Sequence, residues 1–375
     1  MTKQYDLAIV GLGIVGASAV YAATRAGASV LALDAGVPGA GTSGTSFAWL
    51  NSCRKEPEVY HRLNVDGMIA HEELARELGG DAGHHAGGSL EWADPGDGER
   101  ELRARVARLA SRGYRAEWIS RERAASMEPA LAIPAHAHEV AFYAGEAWLD
   151  APRLIQRLLD AASAKGAEVR ERTPVHSVRA RRCRLEALVV ADGERSADAV
   201  LVCVGPSTQA FLEPLGVSIP VGRVAGLLAV TSRPAQTLQR VVHAPGLHLR
   251  PDASGGLLLG TEEVDELARK SDPSGFPKLA TILLERAARV VPAAREVTIV
   301  DSRLGVRPMP ADHHTIAGRI PGLANGWMIA THSGVTLGPL LGRLMAEEIV
   351  RGVPQSVLAP FRPERFLAAE PKTRL

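Results

Sequence analysis

Cysteine is scarce. The 375-residue chain has three, Cys53, Cys183 and Cys203, odd in number, far apart and at no metal-ligand spacing. That excludes a disulfide-stapled scaffold and a cysteine-built metal site, and it points to free thiols in a reducing cytoplasm. Aromatic residues are only 4 %, too few for a platform on which single-stranded nucleic acid could stack. An excess of one charge is missing too: 43 Lys plus Arg against 42 Asp plus Glu leave +1, so no overall field favours nucleic acid or an anionic membrane.

Long apolar runs are also lacking. No stretch of ~18 apolar residues occurs, which excludes a membrane-spanning helix. The opening MTKQYDLAIVGLG enters an apolar strand at once, without a signal peptide's core and cleavage site, so a cytoplasmic location is expected. There is no internal repeat or low-complexity tract. What remains is an ordinary globular mix, 46 % hydrophobic and 23 % charged. At roughly 100–200 residues per domain the length suits two or three domains.

The first forty residues are the most informative. Tyr5 to Val10 is an apolar run, a helical pattern extends from Gly13 to about Arg25, and Ser29 to Leu33 is a second apolar run ending at Asp34. Strand, helix and strand in about 30 residues make a βαβ unit with a parallel pair. Gly11-Leu12-Gly13-Ile14-Val15-Gly16 stands where the first strand meets the helix. In a dinucleotide-binding turn Gly11 permits the tight bend, Gly13 lets the backbone approach a pyrophosphate, and Gly16 lets helix and strand pack closely. The free N–H groups of the first helical turn, at Ile14 and Val15, then face the phosphates. Asp34, beside Ala35, is the acid at the end of the second strand that would accept hydrogen bonds from ribose hydroxyls and repel a 2′-phosphate.

An NAD-binding domain would continue with further βα units. Here the chain runs instead through Gly39, Gly41, Thr42, Ser43, Gly44, Thr45 and Ser46, a loop of backbone donors and hydroxyls placed to wrap a longer cofactor. This favours FAD. Later, helices are expected at Glu58–Leu78, Glu99–Arg112, Leu154–Lys165, Leu279–Val291 and from Gly334 to Val350. Strands are expected at Ala167–Arg170, Val175–Val178, Leu185–Val190, Ala199–Val204, Arg223–Thr231, Leu257–Gly260 and Trp327–Thr331. Nucleotide-binding character recurs at the start, middle and end of the chain. The expected fold is α/β: a Rossmann-type FAD-binding domain of the glutathione-reductase-like kind, with an inserted α+β substrate domain on a mostly antiparallel sheet. The expected boundaries are 1–82, 146–220 and 301–375 for the former, and 83–145 and 221–300 for the latter.

Four blocks resemble the D-amino-acid oxidase family of flavoproteins, the group of glycine oxidase, sarcosine oxidase and D-amino-acid dehydrogenase. They are YDLAIVGLGIVGASAVYAATRAGASVLALDAG, GEAWLDAPRLIQRLLDAASAKGAEV, ADAVLVCVGPST, and LGVRPMPADHHTIAGRIPG followed by WMIATHSGVTLGPLLGRLMAEEI. The last pair is the most specific, and the blocks span about residues 5 to 352. The resemblance implies a flavin ring between two domains and oxidation of a C–N bond in a small amine or amino acid. Hydride passes from the carbon beside nitrogen to the flavin, the imine hydrolyses in water, and oxygen or an electron carrier takes the electrons.

The resemblance also proposes site residues. Arg307 corresponds to the carboxylate clamp of glycine oxidase-like members; its bland alternative is a structural ion pair. Ser333, Gly334, Val335 and Thr336, at the start of the last helix, correspond to the backbone that faces the flavin's pyrimidine end, where a helix N-terminus stabilises negative charge; the alternative is an ordinary cap. His332 either borders the substrate pocket or is a satisfied structural histidine. Arg54 is a looser match to a carboxylate-binding arginine, with Lys55 beside it and Asn51 and Ser52 as flavin-facing candidates. Arg250 is placed to reach the substrate cleft. Val175 matches a backbone contact to adenine, and Gly205 the turn near the adenosine. His313 and His314 read as loop histidines.

Two departures bear on chemistry. No cysteine follows Cys203, so the covalent flavin link of the sarcosine oxidase branch is not expected and FAD would be held non-covalently. The strand Leu257–Gly260 lacks that branch's oxygen-activating lysine, and Thr336 stands near where a second would be, so a dehydrogenase is as open as an oxidase. No general base is evident. The rival readings are an NAD-dependent dehydrogenase and a non-catalytic dinucleotide-binding subunit.

Overall fold

The first apolar run forms strand β1 (Tyr5–Val10), the glycine turn leads into helix α1 (Ile14–Arg25), and the second run is β2 (Val30–Leu33). The computed structural model describes residues 4–367. β1 lies at the centre of a six-stranded sheet. To one side are β2 and then Glu168–Arg170; to the other are Ala197–Val202, Gly326–Ala330 and, at the edge, Ile316–Arg319. All pairs are parallel except that edge strand.

Both faces of this sheet are covered, which is why its strands read as unbroken apolar runs. Leu7, Ile9, Ala32, Leu201 and Ile329 pack under α1 and the helices Ala151–Ser163 and Gly334–Arg351. Their alternates Ala8, Val10, Leu31, Leu33, Val200, Val202 and Met328 face Leu185, Leu188 and Val190 of an antiparallel three-stranded meander. The layers are therefore helices, parallel sheet and meander.

Small residues let α1 and the last helix approach closely. A Cβ on Gly342 would lie 2.6 Å from the Ser18 carbonyl carbon and 2.7 Å from Ala19 N, both backbone atoms that cannot rotate away. Gly342→Val is therefore expected to cost about 3 kcal/mol by overpacking, read as a lower denaturation midpoint. Pro339 sits inside the last helix and has no N–H for the carbonyl of Val335. That carbonyl instead accepts a hydrogen bond from His71 Nε2 at 2.7 Å. Burial holds His71 down at about 4, so it serves this bond uncharged.

A second, eight-stranded sheet runs in the order Ile299–Pro310, Val221–Thr231, Leu257–Gly260, Leu247–Pro251, Val241–Ala244, Ser89–Glu91, Glu139–Tyr143, Ala116–Ser120. Every pair is antiparallel except Val241–Ala244 with Ser89–Glu91. One face carries Leu90, Val242, Leu249, Leu259, Leu227 and Ala229 into a core formed with the helices Glu262–Lys270 and Phe276–Val290. The opposite face looks toward the parallel sheet.

The expected boundary at 301 is corrected: Ile299–Pro310 pairs with Val221–Thr231 from end to end, so a cut there would split a strand of the second sheet. A small sheet of Trp49–Leu50, Ala147–Leu149 and His84–Ala86 likewise joins segments assigned to different units. The strand expected at Val175–Val178 begins at Ser177 instead. Among the described residues the cysteines are all free, and no helix is long and apolar enough to cross a membrane.

Candidate active site

A cleft of about 730 Å³ runs from the glycine turn, between the two sheets, to the open face of the second. At its first end the glycines do three different jobs. Gly11 has φ +93°, and a Cβ there would lie 2.5 Å from Cys203 O. Gly16 packs on the turn itself, where a Cβ would fall within 1.8 Å of Gly11 O; it forms no part of the cleft wall. Gly13 differs from both. It lines the cleft, and its Cβ would meet only the Ser43 hydroxyl, at 3.0 Å. Its missing side chain thus leaves open a cradle beside the N-terminus of α1, where free N–H groups attract phosphate.

The loop after β2 closes over this cradle. Ser43 Oγ accepts from Ile14 N at 3.0 Å, and Thr42 Oγ1 donates to Val306 O at 2.5 Å. Asp34 accepts from Leu12 N and Gly36 N at 2.6 and 2.8 Å. Its carboxylate therefore braces the turn as well as facing the cleft. Ala35, Gly41, Ser46, Val175 and Gly205 also line the wall. So do Val15, Ser333, Gly334, Val335 and Thr336. Neither the N-cap of α1, Gly13, nor that of the last helix, Ser333, makes a side-chain capping hydrogen bond, so two positive helix ends open on one cleft. Glycines for a diphosphate, a carboxylate for a ribose and a second helix end for a flavin form a donor set that fits FAD.

The far end is more crowded with charge than the sequence suggests. Arg307 lines it, but its guanidinium Nη2 is ion-paired with Asp265 Oδ2. The pair fits because Gly226 lacks a side chain: a Cβ there would lie 2.8 Å from Asp265 Oδ2 and overlap Arg307. Burial raises the Asp265 carboxyl above its usual range, and Arg307 works against that shift. Arg307 keeps 33 % of its side-chain surface exposed, so part of the guanidinium fork remains available. Arg54 also reaches the cleft, bonded to Glu91 at 2.9 Å; Glu91 is further held by Arg105 and by the Tyr143 hydroxyl. Lys55 lines the wall with no ion-pair partner among the described residues. His332 does so too, and burial, reinforced by Lys55 and Arg307, holds it down at about 4.

Arg250 is a correction. It is 4 % exposed, its Nε bonded to Phe47 O and its Nη1 to Pro251 O at 2.5 Å each, and it is no part of the cleft wall. Period-two alternation puts it on the same face as His248, but further along the strand that face is roofed by Phe47 and Trp148, 5.7 and 4.8 Å from the guanidinium. Ser52 is fully buried with His61 and does not line the cleft, whereas Asn51 does.

A family model described as "FAD dependent oxidoreductase" (DAO) matches residues 6–348. The chain belongs to this family. It is an FAD-dependent enzyme, and the cradle and two helix ends described above are where its residues suit the cofactor. It is 28 % identical to glycine oxidase of Geobacillus kaustophilus (strain HTA426), across 98 % of each chain. The crystal structure of glycine oxidase from Geobacillus kaustophilus superposes with a TM-score of 0.84 at 27 % identity, covering 97 % of this chain and 99 % of that one. An opine oxidase subunit from Agrobacterium tumefaciens (strain Ach5) is 24 % identical over 98 % of this chain and 99 % of its own length.

Sequence reasoning missed several residues of this flavoenzyme's cleft: Asp265, Glu262, His243 and His248. The histidines left a signal in VVHAPGLHLR, where a Pro-Gly turn places His243 and His248 opposite each other. Trp49, another wall residue, is braced from behind by Glu146, which accepts from Trp49 Nε1 at 2.8 Å, Tyr114 OH at 2.7 Å and Ser89 Oγ at 2.5 Å. Burial pushes the Glu146 carboxyl up from 4.5 to about 7. Because its folded pKa is raised, its contribution to stability is fully present below about 4.5 and is lost as pH climbs through 7. Glu146→Gln, which cannot ionise, is expected to flatten the fall in melting temperature over that window relative to the parent.

Proposed function

We propose that this flavoenzyme oxidises the C–N bond of a small amino acid or N-substituted amino acid, releasing an imine that hydrolyses in water. The observation that carries this reading is the partly exposed guanidinium of Arg307 at the end of a cleft whose other end suits FAD. A carboxylate is the ligand a guanidinium fork holds best, through two parallel charge-assisted hydrogen bonds. Relatives named for amino-compound oxidation, glycine oxidase and the opine oxidase chain, support it. Bound FAD supplies the hydride acceptor.

The chain's own residues bind and orient. Arg307 anchors the carboxylate beside the wall formed by Leu228, Trp49 and His332. His332, kept uncharged, adds no positive charge against a substrate amine. The start of the last helix, Gly334 to Thr336, directs its free N–H groups at the cleft and favours negative charge there. No covalent tether is proposed: Cys203 is the cysteine on the wall, and burial holds its thiol well above the usual range, protonated and unreactive.

The test is an anaerobic screen of the yellow holoenzyme against D-, L- and N-methyl amino acids. Bleaching by a carboxylate-bearing amine supports the reading; a protein that no amine bleaches sinks it. Admitting air then separates an oxidase, which regains its colour, from a dehydrogenase, which needs a carrier. Denaturation is expected to leave all the yellow chromophore in the supernatant.

A further inference from the structure

His243 and His248 face each other across the hairpin of Val241–Ala244 and Leu247–Pro251, with their Nδ1 atoms 2.8 Å apart. Both line the cleft. The next residue along this cross-strand row is Gly260, opposite His248 and without a side chain to cover it. The alternate residues Val242 and Leu249 point into the core on the other face, so the histidines belong to the face that meets substrate. His243 is 2 % exposed, and its Nε2 has no hydrogen-bond partner among the described residues. That atom has almost no accessible surface and is closed off from the cleft, whereas His248 is half-buried and keeps its own Nε2 toward it.

We propose that the His243–His248 pair is the amine-binding element of the cleft: the Nε2 that His248 turns to the cleft accepts an N–H from the substrate, which is thereby held as the uncharged amine. This rests on the amine-oxidising reading above. The argument is one of proton counting. Two Nδ1 atoms in hydrogen-bond contact share one proton, so in the neutral pair one Nε2 carries hydrogen and the other a lone pair. With His243 Nε2 closed off, the cleft meets His248 Nε2 alone: a lone pair where His248 Nδ1–H donates to His243, an N–H where it accepts. An uncharged amine, which can both donate and accept, satisfies either state; an ammonium can only donate.

Burial keeps the pair neutral, holding His248 at about 4 and His243 well below its usual value. The charged groups around it are Arg54 and Arg105, both paired with Glu91, and Glu262 at the start of its helix. Arg54 and Arg105 disfavour a further positive charge, so the pair does not titrate between pH 5 and 9. The same desolvation acts on any ammonium brought beside it.

The test uses FAD-loaded enzyme and two ligands: an amino acid that bleaches it, and the same carboxylate with a thioether in place of the amine, bound without reaction and measured by calorimetry. His248→Leu is expected to lower kcat/KM for the amine at least tenfold while thioether affinity changes less than twofold. His248→Gln, which retains an acceptor, should restore most of the activity. The acid limb of kcat/KM should follow the amine's own pKa across a series of substrates. Equal losses for amine and thioether, or an acid limb fixed regardless of substrate, would overturn the assignment. So would full activity in His248→Leu, provided its flavin content matches the parent. A parent enzyme that no amine bleaches would instead overturn the amine-oxidising reading, and this one with it.

Discussion

Gly13→Val is expected to give a folded, colourless protein. The three glycines of the turn predict different outcomes because different things oppose a side chain. At Gly11 and Gly16 the obstacle is backbone, Cys203 O at 2.5 Å and Gly11 O at 1.8 Å. Substitution there disrupts the packing of α1 on the sheet. At Gly13 the obstacle is the rotatable Ser43 hydroxyl at 3.0 Å, and its backbone is not left-handed. A valine therefore costs the empty fold little. It fills instead the space through which a diphosphate reaches the start of α1 and the N–H of Val15, that of Ile14 being held by Ser43 Oγ. Flavin content after purification should fall at least tenfold, with the melting temperature of the FAD-stripped variant within a few degrees of the FAD-stripped parent. Full flavin occupancy in Gly13→Val would contradict the placement of the diphosphate.

That contrast shows which parts of the molecule are readable from sequence. The βαβ unit is local: its strands, glycine turn and helix are fixed by residues within forty positions of one another, and they form where the sequence places them. The last helix is equally legible, since Gly334 to Arg351 carries its own periodicity. The division into two units is less so. Ile299–Pro310 carries Arg307 and belongs by pairing to the second sheet, yet its sequence continues smoothly into residues of the first. Arg250 was misplaced because strand alternation gives a face and not what lies over it. Asp265 was missed for a stronger reason. Its pairing with Arg307 joins residues 42 positions apart and depends on the missing Cβ of Gly226 on a third element. No local pattern encodes a contact that three separate segments make together.

This same pair makes the second large effect a matter of two residues. Arg307→Ala should raise KM for a carboxylate-bearing substrate by about 10- to 100-fold, the range for losing a charge-assisted hydrogen-bonded contact of about 1.5–3 kcal/mol, with flavin content unchanged. Part of that loss is not the missing clamp. Without Arg307, Asp265 stands buried without its ion-pair partner, and its charge repels the incoming carboxylate. Asp265→Asn keeps an acceptor for the Leu227 N–H, now 2.8 Å from Oδ1, and removes that charge. In the Arg307→Ala background it should therefore recover several-fold in KM. In the parent background it should lower KM, because the guanidinium no longer divides itself between an internal and an incoming carboxylate. Titrating all four proteins with one substrate separates the two roles. If Asp265→Asn raises KM in both backgrounds alike, the aspartate serves to orient the wall and does not compete for Arg307. If Arg307→Ala leaves KM for every carboxylate-bearing substrate unchanged, the arginine is a structural ion pair and the carboxylate is bound elsewhere, with Arg54 and Lys55 the remaining cations on the wall.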